Sequence, residues 1–135
     1  MVNKVSESEL EIFLKSYLDK LILPKIIGLS GPLGAGKTTI AKEIIKYFGS
    51  TEVVTSPTFN IVKQYSVGDL QIYHIDLYRL GSWSEFLDLD LPLDSDNSLF
   101  IIEWINLIPN LNQLDMDIID ITIEDELTRN IKIYD

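Results

Sequence analysis

The chain contains no cysteine, which excludes disulfide scaffolds, zinc ribbons and thiol catalysis. It has one histidine, His74, and two arginines, Arg79 and Arg129, so a charge-neutralising arginine must be one of these two or come from a partner. No apolar run approaches the roughly 18 residues that a membrane helix needs. Residues 1–19 are rich in Ser and Glu and carry no long apolar stretch, so no signal peptide, no membrane partner and a cytoplasmic location are expected. Basic groups are scarce in the second half: residues 76–135 hold Arg79, Arg129 and Lys132 against fourteen acids, whereas residues 1–75 hold eight Lys against seven. A surface that negative repels nucleic-acid phosphates, so tight direct binding of RNA or DNA is not expected, and a basic protein partner is. With 135 residues, 46% of them apolar, and no repeat or linker, residues 1–135 read as one domain.

What is present is a glycine loop. Gly31-Pro32-Leu33-Gly34-Ala35-Gly36-Lys37-Thr38 fits G-x-x-x-x-G-K-[ST] at every fixed position. The apolar run Ile26 to Ser30 ahead of it reads as a buried strand. Thr39 to Phe48 behind it has helical spacing of apolar residues and stops at Gly49. Strand, glycine loop and helix together make a phosphate site, because the glycines let backbone N–H groups converge and the helix start adds partial positive charge. Gly31, Leu33, Gly34, Ala35, Gly36, Lys37, Thr38 and Thr39 are therefore the candidate nucleotide-binding residues. Lys37 would reach the outer phosphates, and Thr38 would bind a Mg2+ ion carried by a nucleoside triphosphate.

Elsewhere, Ser6-Glu7-Ser8-Glu9 is a capping-box pattern ahead of an amphipathic helix expected over 7–20. Glu52 to Thr55 reads as a short strand, and Ser56-Pro57-Thr58-Phe59 as a turn. Asn60 to Tyr65 and Leu70 to Asp76 form a hairpin with a four-residue loop. Ser82 to Leu87 is a short helix candidate, and Asp88 to Ser98 an acidic loop. Leu99 to Ile102, apolar on consecutive positions, belongs in the middle of a sheet covered on both faces. Asn106 to Gln113 reads as irregular, and 118–123 with 129–133 as a second hairpin. The fold class is α/β of the P-loop NTPase kind, a mostly parallel central sheet with flanking helices and β-hairpins.

Magnesium on a triphosphate needs a carboxylate besides the loop hydroxyl. Asp76 and Glu103 both end strands. The strand before Glu103 looks central, so Glu103 is assigned to the metal, directly or through water. Asp76 is left to orient the attacking water or support the metal. Thr58 is a candidate sensor of the outer phosphate. His74 reads as a hydrogen-bonded strand histidine, and Trp83 and Trp104 as packing residues. Asn112-Gln113-Leu114-Asp115 looks like a guanine-reading element, but no buried strand precedes it and no Asp-x-x-Gly follows a strand, so guanine specificity is not expected.

Four motifs occur together: Gly-Pro-Leu-Gly-Ala-Gly-Lys-Thr-Thr (31–39), Ser-Pro-Thr-Phe (56–59), Tyr-His-Ile-Asp-Leu-Tyr-Arg-Leu (73–80) and Ile-Glu-Trp (102–104). In that order and spacing they closely resemble the TsaE family, small bacterial ATPases of tRNA threonylcarbamoyladenosine biosynthesis. The resemblance spans nearly the whole chain, including Arg129-Asn130-Ile131, and departs from the family at Pro32, where an acidic residue is usual. It implies an ATPase that partners the threonylcarbamoyl transferase subunits of the TsaB/TsaD type. The ATPase would cycle or reset that complex and meet tRNA only through it. By motif match it places Lys37 and Thr38 on phosphates and Mg2+, and Glu103 on Mg2+. Asp76 and Thr58 fall at positions tied to hydrolysis, and Arg129 at the nucleotide.

With so few arginines near the phosphates, slow turnover alone and faster turnover with a partner are expected. The alternatives are a small-molecule kinase, against which residues 80–98 offer no arginine-bearing lid, and a non-hydrolysing, nucleotide-dependent docking switch.

Overall fold

The computed structural model describes residues 2–55 and 61–135. One seven-stranded sheet lies between two apolar clusters. Its strands are β1 (Asn3–Ser6), β2 (Lys25–Ser30), β3 (Val62–Val67), β4 (Leu70–Asp76), β5 (Ser98–Glu103), β6 (Asp117–Ile123) and β7 (Thr128–Tyr134). The helices are α1 (Leu10–Leu18), α2 (Lys37–Tyr47) and α3 (Trp83–Asp88). Among the described residues, no helix is long and apolar enough to cross a membrane.

The strand order is β1-β7-β6-β2-β5-β4-β3. The four inner strands β6, β2, β5 and β4 run parallel, and both margins are antiparallel. The sheet is thus parallel in its centre and closed by the two expected hairpins. Every residue of β5 is buried, as its unbroken apolar run requires, and it sits between β2 and β4.

Side-chain alternation along the strands sorts the core onto two faces. On one face Ile27, Leu29, Leu99 and Ile101 pack under Ile40, Ala41, Ile44 and Ile45 of α2 and Leu10, Leu14 and Leu18 of α1. On the other, Phe100 and Ile102 meet Phe86 of α3, Ile105 and Leu111 from two 3-10 turns, Ile105–Leu107 and Pro109–Gln113, and Ile108 between those turns. Tyr73 stacks on Phe100 there at 4.7 Å between ring centres. Each fully buried Ile or Leu contributes roughly 1.5–3 kcal/mol, so α2 is held firmly over the ends of β2 and β5.

Four expectations are corrected. The first helix begins at Leu10 rather than residue 7, because Asn3–Ser6 pairs with β7 and Glu7–Glu9 is a 3-10 turn. The Ser6–Glu9 pairing survives this shift: the Ser6 backbone N–H donates to Glu9 Oε1 at 3.0 Å. Residues 52–55 form no strand: Thr55 meets the edge strand β3 through a side-chain bond, Lys63 Nζ donating to Thr55 Oγ1 at 2.7 Å, rather than through a paired ladder. The first hairpin turns in two residues, Gly68 and Asp69, because Ser66 and Val67 stay paired with Gln71 and Leu70. Residues 106–113, read as irregular, carry most of two 3-10 turns, Ile105–Leu107 and Pro109–Gln113. The turn 56–59 with Thr58 lies outside the described residues.

Candidate active site

The three elements that meet at the site do so at the carboxyl ends of parallel strands, where open α/β sheets expose a crevice. Ser30 ends β2, Asp76 ends β4 and Glu103 ends β5, with Asp76 and Glu103 directly paired across the two strands. That pairing puts both carboxylates on the α2 face, since each stands two residues beyond a residue buried beneath the helices.

The loop 31–36 curls back over the strand ends. Gly31, with φ of +155°, lies so close to β6 that a Cβ there would stand 2.4 Å from the Ile121 carbonyl oxygen. Gly36, with φ of +105°, is the N-cap of α2 in the left-handed region, which turns the chain into the helix. A 3.1 Å bond from the Ala35 N–H to the Pro32 carbonyl closes the turn between them. Leu33 at the tip is 81% exposed.

Lys37 is 5% exposed and folds back on this loop. Its Nζ donates to the Gly31 carbonyl at 2.7 Å and the Pro32 carbonyl at 2.9 Å, and lies 3.7 Å from the centre of the Trp104 ring. Burial holds its pKa below the ordinary lysine value, and the charges of Glu103 and then Asp76 oppose that shift. Thr38 Oγ1 lies 3.2 Å from both carboxylate oxygens of Glu103, to which it donates. Asp76 Oδ1 accepts the Tyr78 backbone N–H at 2.9 Å, which fixes the carboxylate at the strand end.

These groups line a cleft of about 610 Å³ together with Tyr78 and Trp104. Leu33, Gly34, Gly36, Lys37, Thr38 and Thr39 of the loop motif line this cleft with both assigned carboxylates, whereas Gly31 and Ala35 do not line it and Thr58 lies outside the described residues. Asn112 and Gln113 belong to the 3-10 turn whose Leu111 is buried in the far-face cluster, so they form no part of the cleft.

Three features escaped the sequence. Trp104, expected to pack, does so against Tyr78 at 5.2 Å, yet its ring also covers the Lys37 ammonium from a left-handed backbone, φ +64°. His74 is the hydrogen-bonded strand histidine expected, fully buried, and what escaped is its partner: Nε2 stands 2.5 Å from Glu103 Oε2. The strand period would have shown His74 on the same face as Asp76 and Glu103.

The third feature is a neighbouring cavity of about 380 Å³ on the other side of the loop. It lies between Gly36 and Thr39 and a wall made by Val5, Leu10, Ile121 and Leu127. Arg129 borders it and braces the loop from behind: Nε donates to the Ala35 carbonyl at 3.0 Å, and one terminal nitrogen to the Asp125 carbonyl at 2.8 Å. No local signal marks this cavity, because its walls come from both ends of the chain.

Comparison with known proteins agrees with this picture. The family described as "Threonylcarbamoyl adenosine biosynthesis protein TsaE" matches residues 5–131. The tRNA threonylcarbamoyladenosine biosynthesis protein TsaE of Rickettsia bellii is 42% identical over 107 residues, 78% of this chain and 74% of its own. The protein of the same name from Bacillus subtilis is 43% identical over 83 residues, 62% of this chain and 52% of its own. Among solved structures, Bacillus subtilis YdiB superposes with a TM-score of 0.74 at 29% identity, covering 98% of this chain and 86% of its own. The glycine loop before α2, the paired strand-end carboxylates and these matches lead to one assignment: the chain belongs to the TsaE family of tRNA threonylcarbamoyladenosine biosynthesis.

Proposed function

We propose that the protein binds ATP with Mg2+ at this cleft and hydrolyses it, and that the cycle serves the threonylcarbamoyl transferase subunits of the same pathway by resetting or releasing them. The observation that carries the reading is the 3.2 Å approach of Thr38 to Glu103 beside Lys37 at the mouth of the loop. A hydroxyl and a carboxylate are the hard oxygen donors that suit Mg2+, and the remaining positions belong to phosphate and water. Thr38 and Glu103 would hold the ion, which when bound neutralises charge on the phosphate oxygens.

This chain's own groups supply the rest. The loop amides and the start of α2 cradle the phosphates, with Pro32 contributing no N–H. Lys37 exchanges the Gly31 and Pro32 carbonyls for outer-phosphate oxygens, leaving the Trp104 ring as it does so. Asp76, paired with Glu103 and buried, orients the attacking water and accepts its proton. The cavity beyond Gly36 and Thr39, walled largely by apolar side chains with Ser6, Glu7, Ser8, Glu126 and Arg129 at its border, suits the nucleoside.

Phosphate release by the Asp76→Asn protein tests the assignment. The rate is expected to fall about 10²–10⁴-fold with ATP affinity within a few-fold of wild type. An unchanged rate contradicts hydrolysis at this site. A phosphorylated small molecule appearing in place of free phosphate supports the kinase alternative.

A further inference from the structure

The sole histidine has a role that neither the loop motif nor the two strand-end carboxylates requires. His74 lies on β4 opposite Ile101 of β5, two residues short of the Asp76–Glu103 pair. Its side chain is fully buried on the α2 face and reaches diagonally along the sheet to Glu103. Nε2 sits 2.5 Å from Oε2, while Nδ1 is buried and has no partner among the described residues.

Those two facts fix the ring's hydrogens. An ionised carboxylate only accepts, so the nitrogen facing it carries the proton. A proton on Nδ1 instead would leave a buried donor unpaired and also set two acceptors against each other at Nε2, whereas the Nε2–H form makes that bond and leaves one acceptor unpaired. The ring is therefore the Nε2–H tautomer. Its hydrogen bond ties down Oε2 of Glu103 and leaves Oε1 clear of the ring, with the Thr38 hydroxyl 3.2 Å from both oxygens. A glutamate has three rotatable bonds, and at a strand end facing a cleft of about 610 Å³ nothing else among the described hydrogen bonds fixes its carboxylate from the sheet side.

We infer that His74 is a positioning residue, which holds Glu103 in the orientation that presents one carboxylate oxygen to the ion shared with Thr38. The inference rests on Glu103 being a metal ligand, as proposed above. Partners that orient a metal ligand through a hydrogen bond typically change metal affinity by about 10–100-fold when removed. A residue that merely fills the core changes stability and nucleotide affinity without regard to the metal.

The test measures ADP affinity across Mg2+ concentrations and in EDTA for wild type, His74→Asn, His74→Gln and Glu103→Gln. Glutamine places an N–H where Nε2 stands, whereas asparagine places one at the Nδ1 position, short of Glu103. His74→Asn is expected to raise the Mg2+ concentration for half-maximal effect about 10–100-fold while affinity in EDTA holds. His74→Gln is expected to lie within a few-fold of wild type. An unmoved Mg2+ midpoint in His74→Asn, with Glu103→Gln displaced, overturns the inference and leaves the Glu103 assignment standing. No displacement in Glu103→Gln removes that assignment and this inference with it. Equal losses in Mg2+ and EDTA make His74 a packing residue and overturn the inference too. Nitrogen-15 spectra of the wild-type ring stand in for any variant that fails to fold, since one histidine gives one pair of ring signals. They are expected to show the Nε2–H tautomer, and Nδ1–H contradicts the argument.

Discussion

Gly31→Ala is the perturbation whose cost the structure specifies most closely. The added methyl would stand 2.4 Å from the carbonyl oxygen of Ile121 and 3.4 Å from Ala35 Cβ. The first contact must open by about an ångström to reach ordinary packing distance, and the group in the way is backbone. Ile121 pairs with Ile131 of β7 and is fully buried, so its carbonyl cannot turn aside without disturbing the β6–β7 ladder. Overpacking of this kind costs about 1–3 kcal/mol. The backbone at φ +155° is territory that glycine alone occupies readily, which adds about 1–3 kcal/mol.

Together these give a loss of roughly 2–6 kcal/mol, a large part of the stability of a domain this size. Gly28→Ala is the matched control. Its methyl would meet Ile105 Cδ1 at 2.8 Å and Met116 Sδ at 3.1 Å, both flexible side-chain atoms, and its φ is ordinary. It should cost less, about 1–2 kcal/mol. Urea unfolding of the three proteins, followed by fluorescence, measures both costs, and calorimetric ATP titration reports whether the loop still presents its amides. Gly31→Ala should be the least stable and the weakest binder. If it lies within about 1 kcal/mol of wild type, or Gly28→Ala proves the more damaging, the claim that β6 clamps the curl is wrong.

Other consequences follow from the same geometry. Because burial lowers the Lys37 pKa below the ordinary 10.5, and only the protonated form pairs with phosphate, ATP affinity should decline as pH rises towards that value, earlier than for an exposed lysine. Removing Glu103, the larger influence opposing that shift, should move the decline to still lower pH; titrations across pH 7–10 read both, and identical profiles in the two proteins contradict it. Arg79 and Arg129 are the only arginines, and Arg129 already braces the loop carbonyls, so turnover should be slow alone and rise when the transferase subunits are added. Equal rates with and without them refute the idea that a partner completes the site.

How far the sequence foretold this depends on the range of each interaction. The strand–loop–helix unit was legible because its signals are local: the four fixed positions of the glycine loop, an apolar run and a helical period. The central place of β5 was legible from its consecutive apolar residues, which fit only a strand covered twice. The assignment of Glu103 followed from that place. What was not legible depends on pairing across the chain. β1 has one buried residue, Val5, and exists because β7 offers it an edge, 125 or so residues away. Residues 52–55 have strand propensity, yet among the described residues no strand pairs with them. Likewise, the role of His74 needs the register of β4 against β5, and the bracing by Arg129 needs the hairpin to fold over the loop. Trp104 looked like a packing residue because nothing in Ile-Glu-Trp announces the left-handed turn that lays its ring over Lys37.

Calorimetric titration of ATP into wild-type and Glu103→Gln protein, each in Mg2+ and in EDTA, bears most directly on the central claim. Wild type should bind more tightly in Mg2+ than in EDTA. Glu103→Gln should lose that difference while binding in EDTA no more weakly than wild type. A Glu103→Gln protein that keeps the full Mg2+ dependence, or a wild type that retains no ATP in either condition, contradicts the account.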